Sequence, residues 1–413
     1  MQNIEKPLKV LISAYACRPG KGSEPGVGWH IVQQMARHHD VWVLTRAENR
    51  PMIEAAKPMN ASRNIQFCYF HVPRWDNSWK WEGVASQIHY YMWQLGIYGP
   101  MKKLHKGVAF DVTHHVTYVR YWNPSMLAML PVPFLWGPVG GADYTPKGFA
   151  SQYSPSGKIF DHMRNYSHRL GEKDPLVRRT ARTSSLSLAT TSDTALRLKC
   201  IGATNVRLLG ESALTKDEIG QLSNIRLDKN LPMRFISMGR LLHWKGFHLG
   251  LQAFAQSSLV NAEYWIIGDG PERKRLNKLA DQLHVAARVK FFGNLSRTEA
   301  LENLRACRVL VHPSLHDSGG WVCLEAMAAG RPIICLDHGG PATQVTPETG
   351  VKVPVLTPEQ VITDLAEAME MLANDIEKCA AMGQSGRERI SAEFTWEHKA
   401  DVINAYYKEI CAR

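Results

Sequence analysis

Residues 312–344 read HPSLHDSGGWVCLEAMAAGRPIICLDHGGPATQ, and they are the best guide to the architecture of this chain. Just before them lies a short apolar run of the strand type, Arg308–Val311, and Ile333–Leu336 is another. Between the two runs, Trp321–Ala329 is rich in helix formers and is followed by Gly330, a residue typical of the position after a helix. The order strand, loop, helix, strand predicts one unit of a parallel β-sheet.

The loop before this helix is predicted to bind a phosphate. Gly319 and Gly320 carry no side chain, so their backbone can come close to a ligand. The first amides of the helix, at Gly320, Trp321 and Val322, have no partner inside the helix, and such amides favour an anion.

Two acidic residues flank this turn. Glu325 lies among apolar helix residues, where a buried carboxylate needs a partner, and a ribose diol would supply two O–H donors. The alternative is that Glu325 lies on a solvated face of the helix. Asp317, in the loop, has a structural alternative as the N-cap of the helix.

An acidic residue, seven intervening residues and a glutamate, with a Gly-Gly loop between them, resemble the signature of the family-4 retaining glycosyltransferases. That family usually has Glu where this chain has Asp317, and Phe-Gly where it has Gly319-Gly320. The resemblance implies the GT-B fold, an α/β architecture of two Rossmann-like, doubly wound domains that face each other across a cleft. It also implies that Asp317 contacts the hydroxyls of a donor sugar and that Glu325 holds the ribose.

The length of 413 residues suits two domains. We predict an N-terminal, acceptor-binding Rossmann-like domain over residues 1–210 and a polar linker over 211–231. A C-terminal, nucleotide-sugar-binding Rossmann-like domain is predicted over 232–394. The resemblance implies that a final helix, 395–413, crosses back to the N-terminal domain.

Composition describes an ordinary globular protein with a basic surface. It is 45% hydrophobic and 21% charged, and its net charge of +11 favours acidic partners such as phosphorylated substrates or anionic lipid. Between Thr145 and Ser185 there are eight Lys or Arg residues and three acidic residues. Zinc-finger, RRM and KH patterns are absent from the sequence, so nucleic acid is not expected as a partner.

The eight cysteines lack CxxC spacing and are expected to be reduced thiols. The sequence contains no apolar run of about 18 residues, and the apolar run at Val10–Ala14 is too short for a signal-peptide core. We therefore expect a cytoplasmic protein, with peripheral association with the inner face of a membrane as an extension of that expectation.

In the first half, a Gly-rich loop from Tyr15 to Gly28 joins the first strand to a helix that is predicted to open at Trp29. Such a turn is where Rossmann-like domains place a diphosphate. The spacing is not GxGxxG, so a dinucleotide site is disfavoured. The resemblance implies that Gly26 and Gly28 reach the donor or the acceptor, and the alternative is a long flexible turn.

A second candidate in the first half is the strand that ends in Asp111-Val112-Thr113-His114-His115. It resembles the family's Asp-x-x-His, in which the histidine faces the reacting sugar, and His114 has the matching position. His115 points the opposite way in a strand, and either ring could donate to a sugar hydroxyl. A Gly loop that includes Gly140 and Gly141 follows the next strand and should line the same cleft.

Two stretches of the first half are less well defined. Aromatic residues cluster at Trp75, Trp79, Trp81, Tyr90, Tyr91, Trp93 and Tyr98, with lysines after them, which suits a membrane interface, a sugar-stacking surface or a core helix. The basic segment Thr145–Arg182 shows no strong period, and we expect helices and loops that cap the acceptor side.

The second half restarts the strand–helix alternation, as expected of a second doubly wound sheet. After the strand Arg234–Met238 come Arg240 and Lys245, at the spacing of the family's Gly-Arg-Leu and Lys-Gly elements. Both cations are expected to bind a diphosphate, although solvated loop cations are the alternative. Gly268 begins the family's next Gly-rich turn, and Gly293 and Leu295 stand where the family grips the nucleotide base.

The function that these residues predict is transfer of a hexosyl unit from a nucleotide-diphosphate sugar to a sugar, polysaccharide or lipid-linked acceptor. Retention of configuration is implied by the resemblance. Because the sequence contains no Asp-x-Asp pair, a bridging metal is not expected. No cofactor is predicted, since the nucleotide-diphosphate sugar is the substrate. The alternatives are a GT-B epimerase or phosphorylase, and a sugar-nucleotide-binding protein without catalysis.

Overall fold

The computed structural model describes residues 6–56, 64–73, 84–225 and 232–412. These residues form two compact units, each built on one parallel β-sheet. The first unit contains residues 1–142, 166–211 and 396–413, and the second contains residues 143–165 and 212–395.

The first unit has a seven-stranded sheet in the order β3-β2-β1-β4-β5-β6-β7. Its strands are β1 (Lys9–Ala14), β2 (Asp40–Arg46), β3 (Ile65–Phe70), β4 (Val112–Thr117), β5 (Phe134–Val139), β6 (Leu186–Ala189) and β7 (Val206–Leu208). Its central strands β1, β4 and β5 are buried on both faces apart from Lys9, as expected of a sheet covered by helices on each side, and β4 buries polar Thr and His residues.

The second unit has a six-stranded sheet in the order β10-β9-β8-β11-β12-β13. Its strands are β8 (Arg234–Met238), β9 (Glu263–Ile267), β10 (Val289–Gly293), β11 (Val309–His312), β12 (Ile333–Leu336) and β13 (Gly350–Val353). The neighbouring strands in both sheets pair in parallel, for example Leu310 with Ile333.

Helices cover both sheets. They are α1 (Ser23–Met35), α2 (Arg50–Ala56), α3 (Val84–Val108), α4 (Pro155–Gly171), α5 (Pro175–Thr183), α6 (Ser192–Cys200), α7 (Lys216–Ser223), α8 (Phe247–Gln256), α9 (Arg273–Gln282), α10 (Arg297–Arg305), α11 (Trp321–Ala328), α12 (Gly339–Gln344), α13 (Pro358–Asn374), α14 (Ile376–Glu393) and α15 (Trp396–Cys411). Doubly wound α/β domains are therefore confirmed for both halves of the chain.

Each sheet has one point at which the strand order reverses. In the first sheet it lies between β1 and β4, and in the second between β8 and β11. Connections leave the two strands in opposite directions there, which opens a crevice at their carboxyl ends where ligands of open α/β sheets bind.

The division of the chain differs from the predicted domain boundaries in two places. Residues 143–165, which we placed in the N-terminal domain, belong to the second unit, and α4 runs across the boundary. Residues 212–225, which we placed in the linker, also belong to the second unit, where Leu214 and Leu222 are buried in its core. Thr215 and Glu218 form a capping box that starts α7, so this polar stretch encodes a helix.

The aromatic cluster is described only in part. Trp75, Trp79 and Trp81 lie outside the described residues. Tyr90 and Trp93 are buried on α3, whereas Tyr98 is exposed. Among the described residues, the structure contains no helix of the length and hydropathy needed to cross a bilayer.

A buried histidine in the second unit predicts acid sensitivity. His248, on α8, is 3% exposed, and burial lowers the pKa of its ring from 6.5 to about 3. The unfolded chain therefore binds a proton that the folded chain excludes, so the free energy of unfolding should fall as the pH drops below 6.5. Because Nε2 has no hydrogen-bond partner among the described residues, His248→Leu should retain stability at pH 7.

Denaturant unfolding at pH 7 and pH 5.5 tests this prediction. The loss of stability between the two pH values should be smaller in His248→Leu than in the parent chain, by up to about 1.4 kcal/mol per pH unit. An identical pH dependence in both proteins would show that His248 is not the group that excludes the proton.

Candidate functional site in the second unit

The loops that follow β8 and β11 pack closely against each other and are joined by a hydrogen bond, at the point where the strand order of the second sheet reverses. Gly246 has a φ of +67°, and a Cβ at this position would lie 1.8 Å from the carbonyl oxygen of Pro313. The amide of Leu315 donates to the carbonyl oxygen of Trp244 at 2.8 Å. The short turn that carries Lys245 therefore has a fixed position against the loop that carries Asp317.

An ion pair joins these two loops. Lys245 Nζ lies 2.6 Å from Asp317 Oδ2, and His312 Nε2 lies 3.0 Å from the same oxygen. Burial by itself would raise the pKa of the Asp317 carboxyl, but Lys245 and His312 hold it well below its usual value. Asp317 is therefore ionised at neutral pH, and Lys245 is held at the carboxyl edge of the sheet.

The second oxygen of Asp317 organises the turn before α11. Oδ1 accepts hydrogen bonds from the amides of Gly319 and Gly320, at 3.3 and 2.9 Å. Gly320 has a φ of +55°, and a Cβ there would lie 2.5 Å from the side chain of Gln344. Both carboxylate oxygens of Asp317 thus accept from protein donors, which differs from the predicted contact with sugar hydroxyls. The N-cap alternative is also incorrect, since the N-cap residue is Gly320.

Helix α11 begins directly at this turn. Cys323 N–H donates to Gly320 O at 2.9 Å, which closes the first turn of the helix. The carbonyl oxygen of Gly319 accepts from Gln344 Nε2 at 2.6 Å and from the Ser212 hydroxyl. The turn is thus anchored through its carbonyl group. Trp321 and Val322 supply the amides of the first helical turn, the part of a helix that favours an anion.

Glu325 has a protein partner. Its Oε1 lies 2.8 Å from Nη1 of Arg297, at the start of α10, and Arg297 also lies 3.1 Å from Glu218 of α7. The Glu325 side chain is 17% exposed, and burial raises the pKa of its carboxyl against the opposing charge of Arg297. The alternative of a fully solvated face is therefore wrong, and the predicted ribose contact remains a prediction.

Arg240 and the glycines of the neighbouring strands lie at the same edge of the sheet. Arg240 is exposed, and no ion pair to it is found among the described residues. Gly268 N–H donates to Gly293 O at 2.8 Å, and a Cβ on Gly268 would lie 1.9 Å from Gly239 O. Leu295, two residues beyond β10, packs against the core. These glycines permit the close approach of the loops after β8, β9 and β10.

The two predicted histidines of the first unit are structural. His114 is fully buried, with Nδ1 2.6 Å from the Tyr407 hydroxyl and Nε2 2.7 Å from Gly137 O. His115 is also fully buried, and its Nε2 lies 3.0 Å from Thr117 O. Burial lowers the pKa of His114 to about 4 and that of His115 to about 3. The prediction that one of them faces a sugar is incorrect for this geometry, because neither ring reaches the surface.

The prediction that Gly26 and Gly28 lie in a loop is also incorrect. Helix α1 begins at Ser23, so Gly26 and Gly28 lie inside it, and a Cβ on either would be 2.2 Å from the carbonyl oxygen of Lys21 or Ala16. These glycines let the helix pack on the preceding loop.

The Gly loop after β5 is likewise packed inside the first unit. The amide of Gly140 donates to Val119 O at 2.9 Å. Gly141 has a φ of +98°, and a Cβ there would lie 2.5 Å from the Trp122 ring. The sites of both residues are therefore occupied by neighbouring protein atoms.

Sequence reasoning missed a polar cluster at the reversal point of the first sheet. Glu24 Oε1 accepts from the Tyr118 amide at 2.6 Å, and burial raises the pKa of the Glu24 carboxyl, partly offset by Arg120 and Arg46. The signal was present in the sequence, since Glu24 is the one acidic residue within the Gly-rich stretch from Tyr15 to Gly28. His312 and Arg297 in the second unit were also missed, because neither belongs to a recognisable motif.

Part of the chain is similar in sequence to known glycosyltransferases. Residues 221–389 match the family model described as Glycosyl transferases group 1. The lipopolysaccharide core biosynthesis glycosyltransferase LpsE of Rhizobium meliloti is 34% identical over 167 residues, which are 40% of this chain and 47% of that protein. The chain thus spans about half the length of the curated relatives that it matches.

Solved structures extend the likeness to nearly the whole chain at the level of fold. Sucrose-phosphate synthase from Thermosynechococcus elongatus has a TM-score of 0.63 at 19% identity, covering 98% of this chain and 100% of that one. HepE from Anabaena, in complex with UDP and glucose, has a TM-score of 0.61 at 16% identity, covering 97% and 100%. The fold class is GT-B.

The ion pair between the two loops should contribute measurably to stability. Asp317→Asn removes the negative charge beside Lys245 and is expected to lower the free energy of unfolding by about 2 kcal/mol. Asp337→Asn is the matched control, because Asp337 forms an exposed pair with Lys352 at 3.3 Å and should contribute less than about 1 kcal/mol. Denaturant unfolding at low ionic strength measures both, and equal losses would contradict the structural role of Asp317.

Proposed function

We propose, from the premise that residues 221–389 belong to the glycosyl transferases group 1 family, that this chain is a retaining hexosyltransferase. It would move a hexosyl unit from a nucleotide-diphosphate sugar to a sugar, polysaccharide or lipid-linked acceptor. The observation that carries the proposal is the position of Lys245, 2.6 Å from Asp317 in the turn before α11. Lys245 and the positive, N-terminal end of the α11 dipole thereby lie at the same loop, at the carboxyl edge of the second sheet.

This arrangement of positive groups would stabilise the departing diphosphate during glycosyl transfer. As the bond between the sugar and the diphosphate breaks, negative charge grows on the departing oxygen. Lys245, Arg240 and the amides of Trp321 and Val322 would stabilise that charge more in the transition state than in the ground state. Arg240, exposed in the loop, would add a planar guanidinium that can bind two phosphate oxygens.

Asp317 is proposed to act as a positioning residue. Its carboxylate holds the ammonium of Lys245 and the amides of Gly319 and Gly320 in fixed places. Because these groups are already in place, the site would bind a diphosphate without reorienting its own dipoles.

The nucleoside is proposed to bind beside this phosphate site. Glu325 lies in α11, one turn beyond the phosphate-binding amides, and only its Oε1 is engaged with Arg297 among the described residues. Its second oxygen would accept from the ribose hydroxyls. The backbone around Gly293 and Leu295 would contact the base, as the family resemblance implies.

Retention of configuration follows from the resemblance and is part of the proposal. The departing phosphate oxygen would accept the proton of the acceptor hydroxyl on the same face of the sugar. On the acceptor side, the reversal point of the first sheet offers Glu24 as a hydrogen-bond acceptor for a hydroxyl. His114 and His115 are buried and are left out of this assignment.

Substitution of the two cations tests the proposal. Arg240→Ala and Lys245→Ala should each lower turnover by about tenfold or more, because each removes stabilisation of the departing diphosphate. Turnover is measured as release of labelled sugar or nucleoside diphosphate from UDP-, GDP- and ADP-sugars. Lys290→Ala is the matched control, since this exposed lysine pairs with Glu263 at 3.0 Å near the start of β10.

The products separate this proposal from its alternatives. Transfer or slow donor hydrolysis supports a glycosyltransferase, whereas reversible epimerisation or phosphorolysis would identify the other GT-B chemistries. Binding of a sugar nucleotide without any turnover would identify a non-catalytic protein. Unchanged rates in both cation variants would contradict the assigned phosphate site.

A further inference from the structure

The second unit contains a cavity that the candidate site does not use. It has a volume of about 460 Å³, and its lining residues all fall within residues 145–165. The loop at 145–151 forms one wall and the first half of α4 forms the other. All of these residues belong to the second unit. The volume lies within the range of roughly 300–1,000 Å³ that is usual for small-molecule sites. We call this cavity the 145–165 pocket.

Both walls of the pocket are attached to the loops of the candidate site. On the loop wall, Thr145 Oγ1 lies 2.6 Å from Nε2 of His316, in the loop after β11. On the helix wall, the Phe160 ring stacks on Trp244, in the loop after β8, with centroids 5.3 Å apart and planes at 17°. These are the loops that carry Asp317 and Lys245, so the pocket has a fixed position beside the proposed diphosphate site.

The pocket is lined by two lysines whose charge has no protein partner. Lys147 is exposed in the loop wall and Lys158 on the helix wall, and within the described ranges neither side chain forms an ion pair or hydrogen bond. Asp161 is the one acidic residue in the described lining, and it is 6% exposed. It lies 3.7 Å from Arg164 and 3.9 Å from His316, so its charge is directed toward those groups. The two ammonium groups therefore remain available to an anion.

One further carboxylate lies near the rim of the pocket. A Cβ on Gly148 would lie 3.8 Å from the Pro358 side chain, and Glu359 is the next residue. Glu359 is exposed and does not line the pocket. Solvent screens such a charge, so the lysines of the lining determine the sign of the charge inside the pocket.

The helix wall also carries an unsatisfied hydrogen-bond acceptor. Asn165 lines the pocket, and its Oδ1 is buried and accepts no hydrogen bond within the described part of the chain. A buried acceptor without a partner is costly, and a hydroxyl group of a ligand would satisfy it. The exposed side chains of Ser151 and His162 add groups that can donate or accept. The pocket therefore combines cations with groups suited to sugar hydroxyls.

We propose that the 145–165 pocket binds an acceptor carbohydrate that carries a phosphate group. The phosphate contacts the ammonium groups of Lys147 and Lys158, and a sugar hydroxyl donates to Asn165 Oδ1. The inference rests on the proposed function, because it names the class of acceptor for the same transfer. A neutral sugar would satisfy Asn165 but would leave the two lysines without a partner, whereas charge-assisted hydrogen bonds to a phosphate are about twice as strong as neutral ones.

Calorimetric titration of the intact chain tests the proposal. The probes are glucose 6-phosphate, mannose 6-phosphate and N-acetylglucosamine 6-phosphate, each compared with its unphosphorylated sugar and with inorganic phosphate. At least one sugar phosphate should bind, at least about tenfold more tightly than its neutral sugar and than inorganic phosphate. Binding of none of the three would overturn the proposal, as would equal affinity for the sugar phosphate and either of its two parts.

Substitutions in the lining locate the binding to this pocket. Lys147→Gln/Lys158→Gln should weaken binding of the sugar phosphate by at least about tenfold, and Asn165→Leu by about fivefold, because each removes a contact to the ligand. Lys274→Gln/Lys378→Gln is the matched control, since it removes the same charge at two exposed positions elsewhere in the second unit. Equal losses in the two lysine variants, or unchanged affinity in both lining variants, would contradict the assigned pocket.

Turnover of sugar nucleotides separates failure of this inference from failure of the proposed function. A chain that binds a sugar phosphate in this pocket but consumes none of the UDP-, GDP- and ADP-sugars would retain the pocket and lose the transferase assignment. A chain that transfers a hexosyl unit to neutral sugars and binds no sugar phosphate would retain the transferase assignment and overturn the inference.

Discussion

The contact between Lys245 and Asp317 is the interaction on which the second unit's site depends. Two loops from strands that are neighbours in space but far apart in sequence, β8 and β11, meet through one 2.6 Å ion pair. Asp317 uses its remaining oxygen to set the amides that precede α11. One carboxylate therefore fixes a cation and two backbone donors together, and Lys245 and the turn before α11 take their positions from that group.

The parallel sheets explain why this contact forms where it does. The carboxyl ends of β8 and β11 adjoin because the order of strands reverses between them. Glycines at Gly246 and Gly268 then allow loop backbones to approach more closely than a side chain would permit. The first sheet has the same reversal between β1 and β4, and there too a carboxylate, Glu24, bonds a loop amide. Both units thus place an acidic side chain at the point where ligands of such sheets bind.

The sequence was a good guide to most features that depend on local spacing. Alternation of apolar runs and helices predicted both sheets, and the positions of Arg240, Lys245 and Glu325 relative to nearby glycines predicted the loops that carry the candidate site. Features that depend on packing were predicted poorly. His114 looked catalytic because Asp111 and His114 resemble the family's Asp-x-x-His, yet Tyr407, almost three hundred residues later, contacts its buried ring. The apolar period of helix α4 was overlooked in the sequence, and the exposure of its apolar face, the reverse of the usual pattern, depends on packing.

The central claim is that the turn before α11 recognises the pyrophosphate of a nucleotide. Calorimetric titration of the intact chain with uridine, guanosine and adenosine diphosphates, and with the corresponding nucleosides, tests it most directly. The account predicts that at least one diphosphate binds and that its nucleoside binds at least about tenfold more weakly, because charge-assisted hydrogen bonds to phosphate are lost. Equal affinity for nucleoside and diphosphate, or binding of none of the three diphosphates, would contradict it.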